Sequence, residues 1–294
     1  MKYYPILAIG EVLFDVIENE YRLGGAPFNV AAHLANLGHK SYILSGVGRD
    51  DLGRQILTEA SHLNVNTKLI HQHATAPTGT VAVTFEDGEP QYEIVENVAW
   101  DFLQIDLGEI ISVQWEVVVF GSLAQRSLQN QKFFSSLFQS IKSKWRFFDC
   151  NLRQQYYDRN TIERSLKWAN ICKFNEAELR ICSQLLYGEI IDPEKFATQI
   201  NQDFHIELVV YTLGKRGSSA WYQGRMYARG TEPVKVKDTI GAGDAFNAGF
   251  LHHWIAEGKV GEALEYGNKL GAYVASCSGA IPEYDDEIKT IFSL

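Results

Sequence analysis

Apolar and polar positions alternate along this chain in two rhythms. Short unbroken apolar runs, YPILAIG (4–10) and KSYILSGVG (40–48), read as buried strands. PFNVAAHLANLG (27–38) reads as a helix, with Pro27 in its first turn and Gly38 as its cap. DLGRQILTEASHLN (51–64) reads as another. Further strand patterns fall at 116–123, 146–152, 170–175 and 207–214, and helical patterns separate them at 127–143, 161–169, 176–187 and 193–203. Strands that alternate with helices predict βαβ units and a mostly parallel sheet covered on both faces.

One stretch breaks the rhythm. TGTVAVTFEDGEPQYEIVENVAW (78–100) alternates with period two on both sides of EDGEP, a hairpin signal. Two strands alone are marginal, so the hairpin needs a partner, and FDVIENEYRLGG (14–25) is the candidate. Together they read as a small β lid, inserted at about 12–25 and 76–102 into one domain spanning 1–294. The chain carries no internal repeat, low-complexity tract or long linker.

Composition narrows the class. The 294 residues carry a formal net charge of −9, with 46% hydrophobic and 21% charged residues. An acidic chain without a basic stripe argues against nucleic-acid binding. No run approaches the roughly 20 apolar residues of a membrane span, and the N-terminus lacks the features of a signal peptide. Cys150, Cys172, Cys182 and Cys277 form no CxxC pair and read as buried reduced thiols of a cytoplasmic protein. His71, His73, His252 and His253 show no metal spacing and read as surface or partly buried residues.

Two glycine-rich stretches carry the candidate chemistry. In DTIGAGDAFNAGF (238–250), Phe246, Phe250 and Trp254 recur at helical spacing, so Gly241, Ala242 and Gly243 sit at a helix start. Free N–H groups and a positive dipole there suit an anion, and small side chains let it approach. Asp244 would repel that anion, which makes sense if it takes a proton while the amides hold charge. A glycine-rich turn with Asp244 as a first-turn helix stabiliser accounts for the stretch equally well. GGAPFNVAAHLANLG (24–38) places Gly24 and Gly25 where backbone lies against a ligand, with Asn29 at the helix start. A tight turn with N-terminal capping is the alternative. Asp15 ends the first strand region, where open α/β sheets bind ligands; a turn residue is again the plainer reading.

Taken together the two stretches resemble the N- and C-terminal signatures of the ribokinase-like (PfkB) carbohydrate kinases. GRDDLG (48–53), the DxNxR of Asp149, Asn151 and Arg153, the NxxE of Asn175 and Glu178, and TLGKRG (212–217) follow in the family's order. The resemblance spans essentially the whole chain. It implies a three-layer α/β/α sandwich with a β-sheet lid, and transfer of the ATP γ-phosphoryl to a sugar hydroxyl. It makes Asp244 the general base and Gly241, Ala242 and Gly243 the anion hole. Asp15, Gly24, Gly25, Asn29 and Arg153 become sugar-side residues. Thr212, Gly214, Gly217 and Asn268, the last on a helix at 262–277, become nucleotide-side residues. Asn175 and Glu178 become the pair that organises Mg2+. Many members also use K+, for which Asp238 and the stretch 278–282 lie in the right places. Members often pair lids into a homodimer.

The GGAPFNVA form is most similar to fructokinases, since the Lys and Gln of the ribokinase GGKGANQA are missing. Fructose, giving fructose 6-phosphate, is therefore the first expectation. Ribose or a sugar acid such as 2-keto-3-deoxygluconate comes next, and a non-catalytic sugar- or nucleotide-binding protein last. Tyr92 and Trp100 are candidates to pack on the sugar's apolar face; aromatics of a hairpin also serve simply as lid core.

Overall fold

A computed structural model describes residues 3–17, 20–86 and 89–294. In chain order the elements are β1 (Pro5–Ile9), β2 (Leu13–Ile17), β3 (Glu20–Gly24), α1 (Ala26–Asn36), β4 (Lys40–Gly48), α2 (Asp51–His62), β5 (Ile70–His73), β6 (Gly79–Glu86) and β7 (Glu89–Ile94). Then come α3 (Leu107–Ile111), β8 (Trp115–Gly121), α4 (Leu128–Ser140), β9 (Ser143–Asp149), α5 (Arg159–Trp168), β10 (Ile171–Asn175), α6 (Glu176–Tyr187) and α7 (Pro193–Phe204). The chain finishes with β11 (Leu208–Thr212), β12 (Ser218–Tyr222), β13 (Arg225–Arg229), α8 (Ala242–Glu257), α9 (Val260–Ser276) and α10 (Asp286–Phe292).

Nine described strands form one sheet in the order β13-β12-β11-β10-β9-β8-β1-β4-β5. From β5 to β11 every pairing is parallel, whereas β11, β12 and β13 pair antiparallel. Strand alternation explains the layering. Ile6 and Ala8 point into a core shared with α1, α8 and α9, while Leu7 and Ile9 point into one shared with α4 to α7. A sheet buried on both faces needs the continuous apolar runs that the sequence displays. The three-layer α/β/α expectation holds.

A second sheet, ordered β3-β2-β6-β7, joins 14–25 to the hairpin, as the sequence suggested. Both ends of its inserted hairpin are tied to the main body. At the entry, Asp50 caps α2 by accepting from Gly53 N (2.8 Å) and also accepts from Thr78 N (2.8 Å). At the exit, the buried Arg126 guanidinium bonds Asp101 twice (2.7 Å each) and the Val95 carbonyl (2.6 Å).

That same guanidinium lies 4.0 Å from the centre of the Trp100 ring, and Trp100 is fully buried. Trp100 is therefore core at the base of the small sheet and has no face for a sugar, which corrects the first of its two readings. The Tyr92 side chain lies outside the described residues. Two further corrections concern exposure: His252 is buried against His39, and Cys277 is only half-buried. Among the described residues, no helix is long and apolar enough to cross a membrane.

Candidate active site

From β1 the main sheet grows one way through β4 to β5 and the other way through β8 to β13. Order reverses at β1, and a ligand crevice is expected beyond the strand ends there. A cavity of about 670 Å³ opens at that place. Its walls include Asp15, Gly25 and Asn29 on one side, Arg153 and Lys173 on another, and Gly241, Gly243 and Asp244 on a third. Leu13, Val81 and Ile94 of the small sheet cover it. A second, more apolar cavity of about 870 Å³ lies beside it, against Thr212, Gly214, Gly217, Phe246 and Asn268. The two share Asn175, Thr212, Thr239 and Gly243. Ala242 lines only the second. Gly24 lines neither; it is buried beside Asp15.

Gly241 is the N-cap of α8 with φ 75°, and no side chain caps this helix end. A side chain at Gly241 would meet Ala280 Cβ at 2.6 Å. Glycine is thus required both by conformation and by space. This first turn, capped by no side chain, places backbone amides where the two cavities meet, and Ala242 N there donates to the Thr239 carbonyl (3.3 Å). Asp244 sits in that turn, half-buried, with Oδ2 accepting from Asn29 Nδ2 at 2.8 Å. Burial pushes its pKa up to about 7, assisted by the charge of Asp149 and opposed by Asn29, Arg153 and Lys173. A carboxyl poised near neutrality suits general-base work.

In the wall of the first cavity, Gly25 has φ 107°, and a side chain there would lie 2.5 Å from the Glu11 carbonyl oxygen. Asn29 is buried, one turn into α1. Burial raises the pKa of Asp15, against the charges of Arg153 and Arg22. Arg153 itself is exposed at the rim, in a loop where Asn151 and Gln154 both take positive φ.

Asn175 and Glu178 do lie together, but as a reciprocal cap of α6. Asn175 Oδ1 accepts from Glu178 N (2.9 Å), and Glu178 Oε2 accepts from Asn175 N (2.7 Å). Glu178 is buried, and that burial raises its pKa against the pull of Lys173. One carboxylate oxygen remains outside the cap. That suits a hydrated Mg2+ held chiefly by nucleotide phosphates and water. Among the described residues, no three acidic, His or Cys side chains cluster as a metal cage. Asn268 lines the second cavity, but its amide nitrogen is spent on the Arg229 and Gly230 carbonyls (3.1 Å each).

Four residues at this site went unread in the sequence as site residues. Lys173 Nζ lies 3.1 Å from Asp149 Oδ1, both side chains being almost fully buried. Asn247 Nδ2 donates to the other Asp149 oxygen at 2.7 Å. Burial alone favours a neutral lysine, but Asp149 and Glu178 outweigh it and keep the ammonium charged. Glu11, also buried, lines the first cavity. A lysine inside a strand covered on both faces is out of place, and that was the available signal.

The fold and this cleft define a phosphotransferase of one class. The chain belongs to the pfkB family of carbohydrate kinases, whose model matches residues 4–287, and it is a sugar kinase. A fructokinase of Salmonella typhimurium is 28% identical over 300 residues, covering 94% of each chain. The crystal structure of Vibrio cholerae O395 fructokinase, in its fructose-, ADP- and calcium-bound form, superposes with a TM-score of 0.79. It is 27% identical and covers 95% of this chain and 94% of that one. A sugar kinase of Pyrococcus horikoshii in complex with ATP has a TM-score of 0.82 at 26% identity, covering 97% of both chains.

Proposed function

We propose that this protein transfers the γ-phosphoryl of ATP to a hydroxyl of fructose, giving fructose 6-phosphate. The observation that carries the reading is Asp244, held near neutral pKa beside helix amides that no side chain caps, where two cavities join. The acceptor fills the cavity under the small sheet, and ATP fills the apolar one. Asp15 and Asn29 accept and donate hydrogen bonds to sugar hydroxyls. Asp244 takes the proton of the attacking hydroxyl as its oxygen bonds phosphorus and the bond from phosphorus to the ADP oxygen breaks. The amides at 241–243 meet the charge on the moving phosphoryl. Mg2+, organised by Asn175 and Glu178, would neutralise nucleotide phosphate charge.

Fructose is favoured because the relatives named above include fructokinases and because the acceptor cavity is acidic. Glu11, Asp15, Glu178 and Asp244 face Arg153 and a lysine already paired with Asp149. Such walls favour a neutral sugar over a sugar acid. The small sheet acts as a lid, within a single domain spanning the chain, and its outer strands pair two copies. The cytoplasmic setting is the reading that goes with four cysteines whose spacing forms no CxxC pair.

A panel of sugars with ATP and Mg2+, read by ADP release, tests the reading. Fructose should give the highest kcat/KM, and Asp244→Asn should lower kcat by about 10²–10⁴-fold with sugar binding retained. Preferred turnover of a sugar acid would overturn the acceptor, and an active Asp244→Asn would overturn the base.

A further inference from the structure

Helix α1 reaches the site twice. Asn29 touches Asp244, and four residues on, on the same helix face, lies His33, which is fully buried. His33 Nε2 lies 2.9 Å from the Ala280 carbonyl oxygen, and Nδ1 lies 2.8 Å from the Tyr284 hydroxyl. A carbonyl only accepts, so Nε2 carries the proton and the Tyr284 hydroxyl donates to Nδ1.

Ala280 is also the residue on which Gly241 rests. A Cβ built on Gly241 would lie 2.6 Å from Ala280 Cβ, 2.7 Å from its Cα and 2.9 Å from its carbonyl oxygen. The segment around 280 is stitched to the loop before α8 a second time. Asp238 accepts from Ile240 N at 3.0 Å and from Gly279 N at 3.3 Å. A shift of Ala280 therefore passes to Gly241, whose left-handed turn aims the first amides of α8.

We propose that His33 is a positioning residue for phosphoryl transfer: through the Ala280 carbonyl it fixes the floor under Gly241 and so the aim of the 241–243 amides. Asn29 and His33 then let one helix set the base and the anion hole in a common frame. Tyr284 holds His33 in the tautomer that this requires. The inference rests on the roles proposed above for Asp244 and the amides.

The role predicts a split between kcat and KM. A misaimed anion hole is felt when charge develops, and less when substrates bind. His33→Phe keeps the ring and loses both bonds. It should lower kcat about ten- to a hundred-fold, since displacements of about 1 Å carry costs of that order, while KM for sugar and ATP stays within about threefold. His33→Gln, which still offers an N–H toward Ala280, should recover part of the loss. Tyr284→Phe, a smaller change in a retained fold, should show the same split more weakly.

Kinetics are read per folded molecule, with Asp244→Ala alongside. The inference is overturned if His33→Phe and Tyr284→Phe keep wild-type kcat while Asp244→Ala is dead. It also fails if the His33 variants raise KM for sugar as much as they lower kcat. Turnover retained by Asp244→Ala would instead remove the base itself, and this inference with it. Should His33→Phe not fold, Tyr284→Phe and His33→Gln decide the question.

Discussion

Asn29 Nδ2 and Asp244 Oδ2 meet at 2.8 Å although 215 positions separate them in the chain. This bond joins the first turn of α1 to the first turn of α8, one bordering the first cavity and the other the helix end it shares with the second. It also restrains the acidity of Asp244, because a donor to the carboxylate favours its charged form.

That restraint has a measurable consequence. If Asp244 acts as a base, kcat/KM falls below pH 7, about tenfold per unit, as the carboxylate is protonated. Removing the Asn29 donor raises the Asp244 pKa further. The acid limb of the pH profile of Asn29→Ala should thus lie at higher pH than that of wild type, in addition to any weaker sugar binding. A profile taken from pH 5.5 to 9 checks this; an unmoved or lower acid limb refutes it.

Stability should change with the opposite sign. The Asp244 pKa is raised in the folded state, to about 7 from an ordinary 3.8. Above pH 7 the fold therefore carries a charge it disfavours, and below about pH 4 that cost disappears. Asp244→Asn should be more stable than wild type at pH 8, on the order of 1–2 kcal/mol, with the difference closing toward pH 4. Urea unfolding at both pH values measures it, and equal stability at pH 8 would contradict it.

The buried pair Lys173–Asp149 predicts strong non-additivity. Lys173→Met strands the Asp149 carboxylate with Asn247 as its remaining side-chain partner and should cost about 3–5 kcal/mol. Adding Asp149→Asn removes the stranded charge, so the double variant should be more stable than Lys173→Met alone. Additive losses in a double-mutant cycle would show that the two charges are not coupled.

His39 offers a test far from the cleft. Its Nε2 lies 3.0 Å from His252 Nδ1, and burial, helped by His252, depresses its pKa to about 3. A depressed folded pKa supplies stability that is present above about pH 6.5 and is lost as pH falls toward 3. His39→Gln has no such loss. Its stability relative to wild type should improve by up to about 1.4 kcal/mol per pH unit between pH 6 and 4. A difference that stays flat with pH would argue that His39 takes up its proton in the fold.

The layered fold was legible because buried strands must be apolar throughout. KSYILSGVG coincides with β4, and the period-two run at 78–100 contains both β6 and β7. What escaped notice was short: β5, four residues at a sheet edge, α3 and β12, five residues each, α10, seven residues long, and β13, whose RMYAR is largely exposed. The antiparallel β11–β12–β13 edge follows from tight connections that leave no room for a crossover helix. The glycine-rich helix starts were readable as candidate sites, though a plain turn fits such stretches as well; the structure adds that Gly25, Gly241, Gly243 and Asp244 border one cavity. Asp149, Lys173 and Asn247 were not readable, because each matters through partners 24 and 98 positions away, which no local pattern encodes. Trp100 misled for a related reason, since an aromatic suits a core as well as a sugar.

Among the described residues, the small sheet roofs one cavity and not the other: Leu13, Val81 and Ile94 border the first, and none of its residues borders the second. On the function proposed above, choice of acceptor and handling of phosphate fall to different walls. With its hairpin pinned at both feet by Asp50 and Arg126, the roof could then be rewritten residue by residue for a new sugar, while the machinery proposed around residue 244 need not be relearned.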